Sequence, residues 1–92
     1  MSDKPDLQIT PTRFEMEVDG HVAFILYRLQ GDVVELIHTE VPSELAGRGV
    51  GARLVRAVLD TLRDRGAKIH PLCPFVAAYI ARHSEYADLV TD

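Results

Sequence analysis

Alternating hydrophobic and polar residues dominate the first half of the chain. Across Arg13–Val18 every second residue is apolar, which is the pattern of a strand with one buried face. An Asp-Gly turn signal follows, and Val22–Leu29 is apolar enough to form a central strand. A third strand, Val33–Val41, comes after a turn at Gly31. Because the connections are short, these strands are expected to form an antiparallel meander.

The hydrophobic period changes from two to about 3.6 residues after Pro42, which ends the third strand because proline has no N–H group to donate. Apolar residues then recur at helical spacing from about Gly49 to Arg65, and Gly66 follows as a C-terminal cap. A short strand, Ala67–Pro71, comes next. A second, shorter helix is predicted from Pro74, a residue favoured in the first turn, to about His83.

This order of elements predicts one α+β domain over residues 1–92, with an antiparallel β meander, a β-α-β crossover and a second short helix. The third and fourth strands should be parallel, because such crossovers are right-handed in nearly all proteins. Only Leu7 and Ile9 suggest a docking strand near the N-terminus, so residues 1–10 are expected to form a loosely ordered lead-in. The last eight or so residues form a tail with apolar side chains available to pack.

Composition and charge narrow the class of protein. The chain has 92 residues, of which 47% are hydrophobic and 26% charged, and this composition is typical of a globular domain. Its net charge of −4 argues against a broad nucleic-acid-binding surface. The polar N-terminus and short apolar runs indicate neither a signal peptide nor a membrane span. We therefore expect a cytoplasmic protein without nucleic-acid or membrane partners.

A glycine-rich loop precedes the long helix, with glycine at positions 47, 49 and 51. Glycine lets the backbone approach a ligand closely, and the free N–H groups and positive dipole end of the helix attract phosphate. Arg48 and Arg53 could add positive charge. The spacing matches neither the P-loop nor the Rossmann fingerprint. The alternative interpretation is that these glycines form a turn that starts the helix and binds no ligand.

Three residues are candidates for catalysis. Cys73, the single cysteine, excludes an intramolecular disulfide; it precedes the second helix, whose N-terminus would stabilise a thiolate. His38 and Glu40 share one face of the third strand, where either could take a proton from an attacking amine. Each candidate also has a non-catalytic interpretation. Cys73 could be an inert core residue, His38 a half-buried residue satisfied by hydrogen bonds, and Glu40 a solvated strand residue. The four histidines show no metal-ligand spacing, so no metal is expected.

Five segments are distinctive when the chain is taken as a whole: His38–Pro42, Gly47–Gly51, Pro71–Val76, Tyr79–Ile80 and Arg82–Tyr86. The third strand, the glycine-rich loop and the long helix resemble motif A of the GNAT acetyltransferases. The chain resembles most closely the small, single-domain YjdJ-like branch of that superfamily, over roughly residues 10–90.

The resemblance implies an N-acetyltransferase that uses acetyl-coenzyme A. The backbone at Glu40 and Val41 would pair with the pantetheine arm, and Cys73 would lie near the thioester as nucleophile or general acid. The pyrophosphate would be held by the backbone amides of Arg48, Gly49, Val50, Gly51 and Ala52. Other predicted cofactor contacts are Gly47, Arg53 and Tyr79, although Tyr79 could instead fill the core.

The acceptor is expected to be an unidentified amine, and the acidic net charge favours a cationic one. Ala46 stands where the family pattern has Gln or Arg, and the chain lacks the N-terminal helices that build an acceptor pocket in larger members. These two departures favour a second hypothesis, a coenzyme A-binding module that acts with a partner. A structural interaction domain without a ligand is a third.

Overall fold

The computed structural model describes residues 7–91, in which a five-stranded sheet is covered on one face by two helices. The strands lie side by side in chain order: β1 (Leu7–Ile9), β2 (Arg13–Val18), β3 (His21–Gln30), β4 (Val33–Glu40) and β5 (Lys68–Pro71). Helix α1 (Val50–Asp64) connects β4 to β5, and α2 (Pro74–Arg82) follows β5. Short 3₁₀ turns cover Ser43–Leu45 and Ser84–Leu89.

The predicted α+β topology is confirmed. Strands β1 to β4 pair antiparallel, β5 pairs parallel to β4, and β3 occupies the centre of the sheet. The turn between β2 and β3 has positive φ at both Asp19 (50°) and Gly20 (80°). Positive φ at both central residues is the requirement of a type I′ hairpin turn, which explains the Asp-Gly signal.

The N-terminal prediction was wrong for residues 7–9, which form strand β1 rather than a loose lead-in. Leu7 pairs with Met16 and Ile9 with Phe14, so β1 extends the sheet at its outer edge. The following Thr10 holds the connection, because its hydroxyl accepts a hydrogen bond from the Arg13 N–H group at 2.9 Å. Residues 1–6 of the predicted lead-in lie outside the described part of the chain.

The hydrophobic core lies between the sheet and the helices. The sheet contributes alternate residues, including Met16, Ile25 and Leu36. The apolar stripe predicted for α1 is buried against them, and its members are Val50, Leu54, Val55, Val58, Leu59 and Leu62. Both helices share this one cluster, so the sheet's opposite face is left without a covering helix in residues 7–91.

A β-bulge in β4 changes which side chains reach the core. Tyr27 pairs with Leu36, but the preceding residue Leu26 pairs with His38, so Ile37 is an extra residue. An extra residue on one strand reverses the alternation of faces beyond it. Thr39 therefore faces the helices, opposite the buried Ile25, and His38 and Glu40 face away from them.

An opening separates the ends of β4 and β5. Their pairing stops at Leu36 and Pro71, whereas β4 continues to Glu40. Beyond this point the Cys73 N–H group donates a hydrogen bond of 2.9 Å to the Leu36 carbonyl oxygen, which ties the start of α2 to β4. The free part of β4 and the first turn of α2 thus border the opening.

The C-terminal segment, Ser84–Thr91, packs across α1 and beside β5. Its Tyr86 and Leu89 side chains are buried in the core, as the apolar tail residues suggested. Val90 forms an isolated parallel bridge with Ile69 of β5. The guanidinium of Arg63 donates two hydrogen bonds to the Asp88 carboxylate, at 3.1 and 3.0 Å, and holds the segment against α1.

Candidate functional site

The three glycines before and within α1 have different structural roles. Gly47 and Gly49 adopt left-handed backbone conformations, with φ of 76° and 70°, which other residues rarely adopt. Gly51 lies in the first turn of α1 against the Phe75 ring. A Cβ atom at Gly51 would lie 2.9 Å from Phe75 Cζ and 3.4 Å from a methyl carbon of Val41. The loop therefore needs glycine both for its turns and for close packing.

The N-terminus of α1 has the features of an anion-binding site. Its first helical hydrogen bond runs from Arg53 N–H to the Gly49 carbonyl oxygen, so the earlier N–H groups of the helix have no partner within it. No side chain caps this end, and the first turn contains no acidic residue. The free N–H groups of Val50, Gly51 and Ala52 and the helix dipole are thus available to an anionic ligand.

A groove with a volume of about 510 Å³ lies between α1 and α2. This volume is within the range of small-molecule sites, roughly 300–1,000 Å³. The lining contains three arginines and a histidine but no carboxylate: Ala52, Arg53, Arg56, Phe75, Ala78, Tyr79, Arg82 and His83. Within residues 7–91, Arg53 and Arg82 form no salt bridge, and Arg56 reaches Asp60 only at 3.9 Å. The groove is therefore positively charged, although the chain as a whole is acidic.

Two stacked rings form one wall of this groove. The rings of Tyr79 and His83 lie 4.0 Å apart at an angle of 15°, and His83 Nδ1 is 2.9 Å from the Tyr79 carbonyl oxygen. Burial raises the pKa of Tyr79, and nearby Arg56 partly opposes this effect. The hydroxyl of Tyr79 is thus protonated at neutral pH, and the wall offers a flat surface for a planar group.

Cys73 is the N-cap residue of α2 and lies in the opening between β4 and β5. Its side chain is buried, and its sulfur is 3.3 Å from the Thr39 hydroxyl oxygen. Burial by itself raises the pKa of the thiol, but the Thr39 hydroxyl and the N–H groups of Val76 and Phe75 outweigh it and lower the pKa below its ordinary value. These contacts therefore stabilise the thiolate relative to that of an ordinary cysteine.

His38 and Glu40 form a pair on the other face of β4. His38 Nε2 lies 2.8 Å from a carboxylate oxygen of Glu40, and each side chain is about half exposed. Because the bulge directs both away from the helices, the structure brings them to each other but not to Cys73. Their common face agrees with the sequence analysis, and their separation from the thiol was not foreseen.

Arg48 does not direct its side chain into the groove. Its guanidinium forms a 2.7 Å ion pair with Asp19 in the turn between β2 and β3. Its predicted role as a backbone ligand is independent of this contact. Of the two arginines expected to add charge at the loop, Arg53 is the one that lines the groove.

The sequence predicted Arg53 and Tyr79 as site residues but not Arg56, Phe75, Arg82 and Thr39. The spacing of Arg53 and Arg56, three residues apart on one helix, could have indicated a common cationic face. The spacing of Phe75, Tyr79 and Arg82 could similarly have indicated the facing side of α2. Thr39 had no such signal, because its position depends on the bulge.

The described part of the chain offers neither a metal site nor a membrane-spanning helix. No group of three or more potential ligand side chains among its His, Cys, Asp and Glu residues could hold a metal ion. None of the helices within residues 7–91 is long and apolar enough to cross a bilayer.

Comparison with known proteins identifies the family. The sequence model described as GCN5-related N-acetyl-transferase matches residues 13–89. The chain belongs to the GCN5-related N-acetyltransferase family. Its α+β sheet is the fold of this family: a solution structure of a GCN5-like candidate N-acetyltransferase from Staphylococcus aureus superposes with a TM-score of 0.73. The two sequences are 27% identical, and the superposition covers 98% of this chain and 91% of the Staphylococcus aureus chain.

Several relatives of this GCN5-related chain carry the name Protein NATD1. The protein from Gallus gallus is 37% identical over 59 residues, which are 63% of this chain and 54% of the relative. The chain thus spans about half the length of that relative. The protein from Danio rerio is 30% identical over 83 residues, which are 85% of this chain and 76% of the relative. The narrower YjdJ-like branch stays a prediction.

Proposed function

We propose that this protein is an N-acetyltransferase that takes its acetyl group from acetyl-coenzyme A. The observation that carries the proposal is the groove between α1 and α2. It is lined by three arginines without a carboxylate and begins at the uncapped N-terminus of α1. Coenzyme A has a pyrophosphate and a separate ribose phosphate, so it fits a site that combines free N–H groups with several guanidinium groups.

The donor would lie along the helix-covered side of the sheet. The N–H groups of Gly51 and Ala52 would hold the pyrophosphate, and Arg53 and Arg82 would bind the ribose phosphate. The predicted pantetheine contacts at Glu40 and Val41 border the opening beside β4, and Cys73 lies at the same opening. A donor bound in this way would direct its thioester toward the sulfur.

Two chemical routes remain open for the transfer. In the direct route, the amine attacks the thioester carbonyl, the C–S bond breaks, and free N–H groups of β4 stabilise the oxyanion. In the second route, the Cys73 thiolate attacks the thioester carbonyl and releases coenzyme A as its thiolate; the amine then attacks the acetyl-cysteine thioester, loses a proton and frees Cys73. The polar contacts of Cys73 lower the pKa of its thiol, which favours its use as a nucleophile by stabilising the thiolate, while the role of general acid stays an alternative.

The acceptor side of the proposed reaction is the uncovered face of the sheet. His38 and Glu40 lie there, beside the opening, and their pairing suits the removal of a proton from an amine, with Glu40 orienting the ring. The amine would approach through this opening while the donor occupies the helix side. The acidic balance of the chain favours a cationic amine.

A coenzyme A-binding module without turnover is the second candidate. It is favoured by the placement of the His38–Glu40 pair and Cys73 on opposite faces of β4. It is also favoured by the exposed Ala46, which offers no side chain to a phosphate. In this case the protein would bind the donor, and a partner would supply the rest of the active site.

Calorimetric titration tests donor binding. We expect the Arg53→Gln, Arg82→Gln double variant to bind coenzyme A about tenfold or more weakly than the wild type, because each guanidinium–phosphate hydrogen bond contributes roughly 1.5–3 kcal/mol. Dephospho-coenzyme A, which lacks the ribose phosphate, should bind both proteins with similar affinity. Arg65→Gln removes one positive charge at the far end of α1, so it is the matched control for each of the two single variants. If wild-type protein bound neither ligand at millimolar concentration, the proposal would be wrong.

Turnover separates the enzyme from the binding module. Release of coenzyme A thiol is measured with acetyl-coenzyme A and a panel of mono- and diamines, for the wild type, Cys73→Ala and His38→Ala. An enzyme of the proposed kind releases thiol faster with diamines, and at least one of the two variants loses most of this rate. Binding without amine-dependent release across the panel would favour the module.

A further inference from the structure

The bulge in β4 gives Thr39 a place beside the only cysteine of the chain. If Ile37 were paired like the other residues of β4, strict alternation would direct His38 toward the helices and Thr39 away from them. Because Ile37 is bulged instead, Thr39 lies opposite the buried Ile25, and its hydroxyl oxygen is 3.3 Å from Cys73 Sγ. The contact joins residues 34 positions apart in sequence.

Two contacts hold Cys73 on either side of the bulge. The Cys73 N–H group donates to the Leu36 carbonyl oxygen, one residue before Ile37. The Cys73 sulfur meets the Thr39 hydroxyl, two residues after Ile37. The backbone and the side chain of the cysteine are thus fixed separately, which restricts the sulfur to the border of the opening.

The groups that stabilise the thiolate of Cys73 are polar but uncharged. The Thr39 hydroxyl and the N–H groups of Val76 and Phe75 are the main groups that favour the thiolate, and together they offset the cost of burial. Cysteine nucleophiles often rely on a neighbouring imidazolium. Here the nearest histidine in sequence, His70, is exposed on β5, and His38 is directed to the other face of the sheet. The Thr39 hydroxyl is therefore the side-chain group that lies against the sulfur.

We propose that Thr39 is a positioning residue, whose hydroxyl holds the Cys73 sulfur at the opening and donates a hydrogen bond to its thiolate form. The role of Thr39 in acetyl transfer rests on the proposed function. Thr39 would act through Cys73 and would form no bond to the acetyl group itself. In the thiol form either atom can be the donor; in the thiolate form only the hydroxyl can donate.

Thiolate absorbance in the ultraviolet tests the inference on the protein alone. Because the chain has one cysteine, the difference between each protein and its Cys73→Ala counterpart reports this thiol only. Thr39→Val keeps the shape of the side chain and removes the donor. We expect it to lower the thiolate fraction at neutral pH by about tenfold, which equals about one pKa unit. Thr39→Ser restores the donor and should stay within about twofold of the wild type.

The control is His38→Ala, a change at the neighbouring residue on the opposite face, which should leave the thiol titration unchanged. Thr39→Ala provides a second variant without the donor if Thr39→Val does not fold, as judged by circular dichroism. An unchanged titration in the donor-free variants would overturn the inference. Equal shifts in Thr39→Ser and Thr39→Val, or an equal shift in His38→Ala, would overturn it as well. Since no acetyl-coenzyme A is present, this outcome does not depend on the titration and turnover tests of the proposed function.

Discussion

Tyr86 joins the C-terminal segment to α1 through one side chain. Its ring is buried in the core, and its hydroxyl donates a 2.6 Å hydrogen bond to the Asp60 carboxylate. The Arg63 guanidinium lies 5.6 Å from the ring centre, within reach of a cation–π contact. Burial, followed by the hydrogen bond to Asp60, raises the pKa of Tyr86 from 10 to about 12. A neutral, protonated tyrosine is therefore part of the folded structure.

This raised pKa predicts a specific loss of stability in alkali. The unfolded chain releases the tyrosine proton near pH 10, whereas the folded chain keeps it until about pH 12. The contribution of Tyr86 is thus complete below pH 10 and is lost as the pH rises from 10 to 12, a change of about 2 kcal/mol. Urea denaturation across this range should show a shallower decline for Tyr86→Phe than for the wild type. Parallel curves for the two proteins would contradict the assignment.

At the scale of elements, sequence periodicity predicted the strands and helices better than the arrangement of the site. The stripe from Val50 to Leu62 and the alternation in β2 follow directly from burying one face. The bulge at Ile37 follows from the pairing of β4 with both β3 and β5, which is a property of the sheet and not of the local sequence. For this reason His38 and Glu40 were found as a pair, and Thr39 was missed.

The contact between α1 and α2 at Gly51 predicts coupling between two substitutions. Gly51→Ala would place a methyl group 2.9 Å from Phe75 Cζ, so the ring must move. In a Phe75→Ala background the same change should instead stabilise the protein, because alanine is favoured in a helix by about 1 kcal/mol. A double-mutant cycle from denaturation curves should therefore give a coupling free energy of about 1 kcal/mol.

Gly47→Ala is the matched control for this cycle. Its added methyl group would have no neighbour within 4 Å, but φ is +76°, so the cost of about 1 kcal/mol should come from the backbone. That cost should be the same with and without Phe75. Additive effects of Gly51→Ala and Phe75→Ala would show that the close contact carries no energy.

At the scale of the whole molecule, the two faces of the sheet carry different groups of the proposed active site. The helix side contains the cationic groove and Cys73, and the uncovered side contains the His38–Glu40 pair. The packing of the helices on the sheet depends on the C-terminal segment, because this segment adds buried side chains to a small core. The segment also pairs with β5 through Val90. The sequence indicated only that apolar residues were present there, since a tail without periodicity has no predictable partner.

Removal of the C-terminal segment tests this dependence. A chain that ends at His83 loses the buried side chains of Tyr86 and Leu89 and exposes the apolar surface beneath them. At roughly 1.5–3 kcal/mol for each large side chain, the free energy of unfolding should fall by more than about 3 kcal/mol. Asp88→Ala removes only the exposed pairing with Arg63, so it should lower the free energy of unfolding far less than the truncation does in the same denaturation assay. Equal effects would mean that the salt bridge, rather than burial, attaches the segment.

The bulge also means that β4 keeps its two faces when one residue is lost at this point. Deletion of Ile37 would leave Leu36 opposite Tyr27 and His38 opposite Leu26, so the strand would alternate regularly and every later side chain would keep its face. The hydroxyl would still face the thiol, and the imidazole would still face away from the helices. In relatives of this protein, a one-residue gap at this point of an alignment would thus remove the bulge without exchanging the groups on the donor and acceptor sides.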